Sequence, residues 1–174
     1  MDRGYEGGRS LDAMCDAIVE RYHASLHESL PLIRHELDEI VAAGASSTLT
    51  VMRDAFSELA DQIESHLAKE ENLLFPAIEA LSSAQRAGGG RPAHPFSTVL
   101  HPIRLMEAEH VRIESALDQL RQCARGVGEP DTLLPAWARC MTALRHLEQE
   151  LREQHRIENE LLFPAALELE RQVW

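Results

Sequence analysis

The sequence predicts an all-α fold, an up-down-up-down antiparallel four-helix bundle, and three observations lead there. Apolar residues recur three and four positions apart over four long segments, as on a helix that buries one face. No segment shows the apolar-polar alternation of a half-buried strand, and the aromatic residues that favour strands make up only 5% of the chain. Proline and glycine gather mainly in two short stretches, 82–102 and 126–131, leaving the rest free to be helical. A chain of 174 residues is about one domain and can bury a core without disulfides or a structural metal. The bundle is therefore expected over residues 11–174, behind a disordered segment 1–10.

The first helix is expected from about Leu11 to Ala43, with Val19, His23, Leu26, Leu30, Ile33, Leu37 and Ile40 facing inward. Pro31 lies inside it and should kink or divide it, because proline removes a backbone donor and collides with the preceding turn. Gly44, Ala45, Ser46 and Ser47 then end it. The second helix, about Thr50 to Leu81, carries Phe56, Leu59, Ile63, His66, Glu70 and Leu73 on its inner face, so a carboxylate stands where an aliphatic side chain belongs. Residues 82–102 form a long crossover loop placed to cover one end of the bundle. The third helix, about Pro102 to Arg125, has Ile103, Met106, His110, Ile113, Leu117 and Leu120 in an unbroken stripe. After the turn at 126–131 the fourth helix runs to the chain end, with Trp137, Met141, Leu144, Leu151, His155, Glu158 and Leu162 inward.

The second and fourth helices repeat one another. The segment from Glu64 to Ala77 returns from Glu153 to Ala165, with 88 positions between Glu70 and Glu158 and again between Phe75 and Phe163. His23 and His110 stand 87 apart, so each half of the chain supplies an early histidine and then a histidine with a glutamate. On a helix, residues three or four apart are neighbours, so His66 with Glu70 and His155 with Glu158 can each grip one site. An unpaired buried carboxylate is costly, and neither inner face offers Lys or Arg as a partner to Glu70 or Glu158. A dinuclear cation bridged by the two glutamates and held by His23, His66, His110 and His155 supplies that charge. Imidazole with carboxylate suits iron, zinc or manganese. His27, four after His23, and Glu114, four after His110, stand at the stripe edges, where each could complete a coordination sphere or be solvated. Phe75 and Phe163 are expected beside the metals as apolar rings that keep water out, while Glu71 and Glu160 are expected in solvent. His35, His94, His101 and His146 fall off the stripes or in the crossover loop and are expected at the surface.

The formal net charge of -12, without a local Lys/Arg cluster, opposes binding to nucleic acid or anionic membranes. No segment approaches the roughly 20 apolar residues of a membrane span, and the opening residues lack a secretory signal, so a cytoplasmic location is expected. Cys15, Cys123 and Cys140 are widely spaced and imply neither a disulfide framework nor a thiolate metal site. No nucleophile triad, phosphate loop or nucleotide motif points to another kind of enzyme.

With those residues in place, about Ala13 to Ala166 resembles the hemerythrin-like, HHE cation-binding family of non-haem di-iron bundles, whose ligands follow the order His, His-x-x-x-Glu, His, His-x-x-x-Glu. Within it, Val19 to His23, Leu30-Pro31, Lys69-Glu70-Glu71, Leu74-Phe75-Pro76, Met106 to His110, Glu158-Asn159 and Leu162-Phe163-Pro164 look like the iron-sulfur-cluster repair proteins. The resemblance implies His23, His66, Glu70, His110, His155 and Glu158 as ligands to two iron ions with an oxo or hydroxo bridge, and a small ligand such as dioxygen, nitric oxide or peroxide. The last box departs from the pattern: His155 is three before Glu158, and Gln154 holds the position the repeat assigns to histidine, which makes Gln154 the alternative ligand. Such repair proteins commonly carry a preceding domain with paired cysteines, whereas Cys15 stands alone here. Glu114 resembles the extra helix-three ligand of other bacterial branches. Two other functions fit the pattern. A ferritin-like carboxylate oxidase would use Glu20-x-x-His23 and Glu107-x-x-His110. A metal-responsive sensor or interaction bundle could form a homodimer through an exposed helix face.

Overall fold

The computed structural model describes residues 10–43, 47–90, 94–127 and 134–173. Seven α-helices and three π-helical turns make up four rods, and there is no strand among the described residues. The first rod is α1 (Leu11–Ile18), a π turn (Val19–His23) and α2 (Ala24–Ala42); the second is α3 (Ser47–Lys69), a π turn (Glu70–Leu74) and α4 (Phe75–Arg86). The third is α5 (Leu100–Val127), and the fourth is α6 (Leu134–Ile157), a π turn (Glu158–Leu162) and α7 (Phe163–Val173). Packing of α3 on α5, α2 on both α3 and α6, and α4 on α7 closes the predicted four-helix bundle.

Ser10 starts the first rod by accepting a hydrogen bond from the Ala13 backbone N–H, satisfying one of the donors a helix N-terminus leaves open. Helix α2 continues through Pro31, and the division of the rod falls upstream, at the π turn Val19–His23. Helix α4 reaches Arg86, beyond the expected end of the second helix, and α5 begins at Leu100, so the crossover is shorter than 82–102. Gly88, Gly89 and Gly90 take φ of 90°, 96° and 120°, a region side chains disfavour, and the Gly90 N–H donates to the Val173 carbonyl. The far side of the crossover is fastened when Glu170 accepts from the Val99 N–H and the Thr98 hydroxyl. The expected disorder at 1–10 falls, apart from Ser10, outside the described residues, as do Gly44 to Ser46 and most of the turn at 126–131; Gly126 and Val127 close α5.

The core has two parts. One, around Leu26, Leu37, Phe56, Ile63, Leu117 and Leu147, fills one end of the bundle. The other, around Ile18, Leu74, Ile78, Ile103, Phe163 and Ala166, fills the other end. Between them the bundle buries polar side chains, among them His23, His66, Glu70, His110, Gln154, His155 and Glu158. The expected stripes are buried almost residue for residue. Leu73 is a correction: it is 47% exposed, and Leu74 is buried instead. The Phe75 N–H bonds back to the Glu70 carbonyl, a wider turn that returns the residue four on, rather than three on, to the inner face. The same bond from Phe163 to Glu158 buries Leu162 and leaves Leu161 at the surface. Pro76 and Pro164 each follow such a turn, where a residue without an N–H costs least.

Candidate metal centre

Each rod brings one histidine to the bundle centre, and the second and fourth also bring a glutamate. His23 ends the first π turn, while Glu70 and Glu158 each open one, so the widened turns lie where the site residues project. His23, His66, Glu70, Gln154 and Glu158 are fully buried, and His110 and His155 are 2% exposed.

The two carboxylates straddle the site. Glu70 turns Oε2 toward His23 Nε2 at 3.3 Å and Oε1 toward His66 Nε2 at 3.4 Å and His110 Nε2 at 4.0 Å. Glu158 turns Oε2 toward His110 Nε2 at 3.2 Å and accepts at Oε1 a hydrogen bond of 3.0 Å from the Gln154 amide. His155 lies flat on His110 with ring centroids 3.8 Å apart and meets the His66 ring edge-on at 5.8 Å. Ligand atoms of His66, His110 and His155 lie within 4.8 Å of one another, as do those of His66, Glu70, His110 and Glu158.

Three of the histidines are aimed from behind. His23 Nδ1 pairs with Glu71 Oε1 at 2.8 Å, His66 Nδ1 with Glu109 Oε2 at 3.2 Å, and His110 Nδ1 with Asn159 Oδ1 at 3.1 Å. Holding Nδ1–H in this way fixes the tautomer that leaves Nε2 free toward the centre. Lys69 donates to Glu109 at 2.6 Å and covers that pair from the solvent side. Glu71 corrects the expectation that it is only solvated, whereas Glu160 is exposed. Adjacency is the trace these residues leave in the sequence, since Glu71 and Asn159 follow the buried glutamates and Glu109 precedes His110, but it does not say which histidine each meets.

The expected outer residues divide. Phe75 stacks on His23 at 5.7 Å and Phe163 on His110 at 6.0 Å, both buried. His27 stays half exposed, 3.6 Å from Glu71, and Glu114 is exposed, so neither joins the cluster. Gln154, the alternative to His155, is inside together with it. Glu20 and Glu107 are exposed, which removes both carboxylates required by the ferritin-like arrangement. His35, His101 and His146 are exposed as expected, and His94 is half buried in the crossover.

Burial sets the electrostatics. It pushes the Glu70 carboxyl well above its usual range, reinforced by the Glu158 carboxylate. It lowers His23, takes His66 to about 4 with help from His110, and takes His155 to about 2 with help from His110 and His66. The imidazoles of His23, His66 and His155 are thus neutral near pH 7, the form in which histidine binds a metal. His66 Nε2, Glu70 Oε1, His110 Nε2, both ring nitrogens of His155 and Glu158 Oε2 have no hydrogen-bond partner among the described residues, although each is buried. Native interiors rarely leave one such atom unsatisfied. Such atoms from His66, Glu70, His110, His155 and Glu158 gather in two overlapping groups, His66 with His110 and His155, and His66 with Glu70, His110 and Glu158, which bound cations would satisfy, and the donor set fits iron.

Fold and site together define a helical-bundle protein with a histidine and carboxylate centre for a cation. The chain belongs to the hemerythrin family: the hemerythrin HHE cation binding domain matches residues 16–94 and 101–172. It is 30% identical over 159 residues to the iron-sulfur cluster repair protein YtfE of Yersinia pseudotuberculosis serotype O:1b (strain IP 31758). It is 31% identical over 159 residues to that of Edwardsiella ictaluri (strain 93-146). Both matches cover 90% of this chain and 66% of the relative, so the chain spans just under two thirds of these proteins. No helix among the described residues is long and apolar enough to cross a membrane.

Proposed function

We propose that this chain holds two iron ions through His23, His66, Glu70, His110, His155 and Glu158, and binds or processes a small oxidant, either dioxygen, nitric oxide or peroxide, in the service of iron-sulfur cluster repair or stress response. The observation that carries this reading is the set of partnerless buried nitrogen and oxygen atoms at the bundle centre. The names of the relatives support the repair role. Bound iron would supply an open coordination position and a change of oxidation state to a small ligand. The chain's own part would be to present imidazole nitrogens and carboxylate oxygens to the ions and to exclude water with Phe75 and Phe163. An apolar groove of ≈ 230 Å³, whose lining includes Leu73, Leu74, Phe96, Leu105 and Met106, has Lys69 at its edge beside the Glu109–His66 pair.

The test is to load the chain with iron(II) without oxygen, measure iron per chain, and then add nitric oxide or dioxygen and record the optical spectrum. Retained iron and a new absorption band support the reading. Absence of iron after reconstitution overturns it. Joint replacement Glu70→Ala and Glu158→Ala should abolish dinuclear binding, and full iron occupancy in that variant would refute the ligand assignment.

A further inference from the structure

We infer that the two cation positions are unequal, one held tightly by His66, His110 and His155 and the other weak and exchangeable because Gln154 plugs it. This deepens the proposed function and rests on it.

Each of the two carboxylates turns one oxygen to each half of the site, so the surroundings of the two halves can be compared atom by atom. On one side stand Glu70 Oε2, Glu158 Oε1 and His23 Nε2. The Gln154 amide nitrogen lies 3.2, 3.0 and 3.0 Å from these three atoms. A carboxamide has two N–H donors, and here they are shared among three acceptors. The amide nitrogen therefore occupies the hole that a cation would fill, with its partial positive charge in the cation's place. On the other side stand Glu70 Oε1, Glu158 Oε2, His66 Nε2, His110 Nε2 and His155, and none of their inward atoms has a hydrogen-bond partner among the described residues. The inward atoms of Glu70, Glu158 and His23 on one side are thus partnered without metal, at the cost of a buried Gln154 Oε1 with no partner among the described residues, and those on the other side are not.

The sequence reason is a one-residue offset. The repeat that relates Glu70 to Glu158 relates His66 to Gln154, while the histidine of the second copy sits one position later. Both Gln154 and His155 are buried, since four and three residues before Glu158 both lie on its face of the helix. The offset takes an imidazole from the His23 half and adds one to the His66 half. To load the His23 half, the Gln154 amide must rotate to turn Oε1 inward, giving up its contacts, and then offers only a neutral carbonyl oxygen. Loss of outer-sphere support alone weakens a metal site by about 10–100-fold, so exchange of a direct ligand should separate the two affinities by at least about 100-fold.

The experiment is an anaerobic titration of the apo-protein with iron(II) against a competing chelator, with iron bound per chain as the readout. The wild type should bind one iron tightly and a second at least about 100-fold more weakly, and Gln154→His should bring the two steps within about tenfold. Two equal steps in the wild type, or an unmoved second step in Gln154→His, overturn the inference and leave the proposed function standing. Absence of iron from both proteins overturns the proposed function, and the inference with it. Circular dichroism reports whether Gln154→His folds. If it does not, His23→Ala takes its place: it should keep the tight step and lose the weak one, and loss of the tight step would overturn the inference.

Discussion

Glu70 shows at the scale of one residue how a functional centre opposes the fold that holds it. Its carboxyl is fully buried beside Glu158, with no Lys or Arg among the described residues within ion-pair distance. Glu70→Gln keeps the shape and removes the charge, and should raise the stability of the apo-protein by about 1–4 kcal/mol while weakening iron retention. Urea unfolding of the metal-free protein checks the first effect and iron per chain the second; a destabilised apo-protein would contradict the account. The cysteines give a second residue-scale prediction. Burial pushes the Cys15 thiol up, reinforced by Glu79, and takes Cys140 to about 12. Both are therefore protonated and inaccessible at pH 8, whereas Cys123 is only half buried. Iodoacetamide at pH 8 should modify Cys123 first in the native protein and all three after unfolding, as counted by mass spectrometry. Rapid native labelling of Cys15 would show that this end of the bundle opens.

At the scale of the element, the π turns let one helix serve two purposes. A continuous α-helix through Glu70 would serve Leu73 and Leu74 about equally, but the turn closed from Phe75 to Glu70 buries Leu74 and places the Phe75 ring on His23. The site lies where helix geometry changes, and the two apolar clusters on either side hold that geometry in place. Phe56 belongs to the cluster at the other end from Phe75 and Phe163, so Phe56→Ala should cost about 3–5 kcal/mol through the cavity it leaves. Thermal unfolding measures that loss. The iron content of the folded fraction should be unchanged, and a loss of iron without a loss of stability would mean that the two ends are more tightly coupled than their packing indicates.

For the whole molecule, cation binding and folding are linked, since all four rods contribute side chains to one centre. Iron(II) at about 100 times its dissociation constant should add about 2.7 kcal/mol. That corresponds to a rise of about 5–11 °C in Tm for a chain of this length. A chelator should reverse the rise, and an unchanged Tm in saturating iron would mean that the metal has no preference for the folded chain, against a site assembled by the four rods.

Most of the fold was legible because a buried helix face imposes its period on the sequence: Ile103, Met106, His110, Ile113, Leu117 and Leu120 are all buried, as their spacing requires. The residues at the centre were legible because duplication wrote them twice. The pairings of Glu71 with His23, Glu109 with His66 and Asn159 with His110 were not, since each crosses between rods and joins residues more than 40 positions apart. The π turns were not legible because widening one turn shifts a helical stripe by a single residue, as Leu74 in place of Leu73 shows.

By itself the sequence determined the bundle, its four stripes and the side chains able to meet at its centre, because periodicity and repetition are properties of order along a chain. Only the tertiary structure decided that Gln154 and His155 are buried together, and that the amide fills one half of the centre while the other keeps its donors free. Which of two adjacent side chains meets His23 depends on how the rods pack, and that geometry arises only when residues far apart in the chain come within 3 to 4 Å of one another.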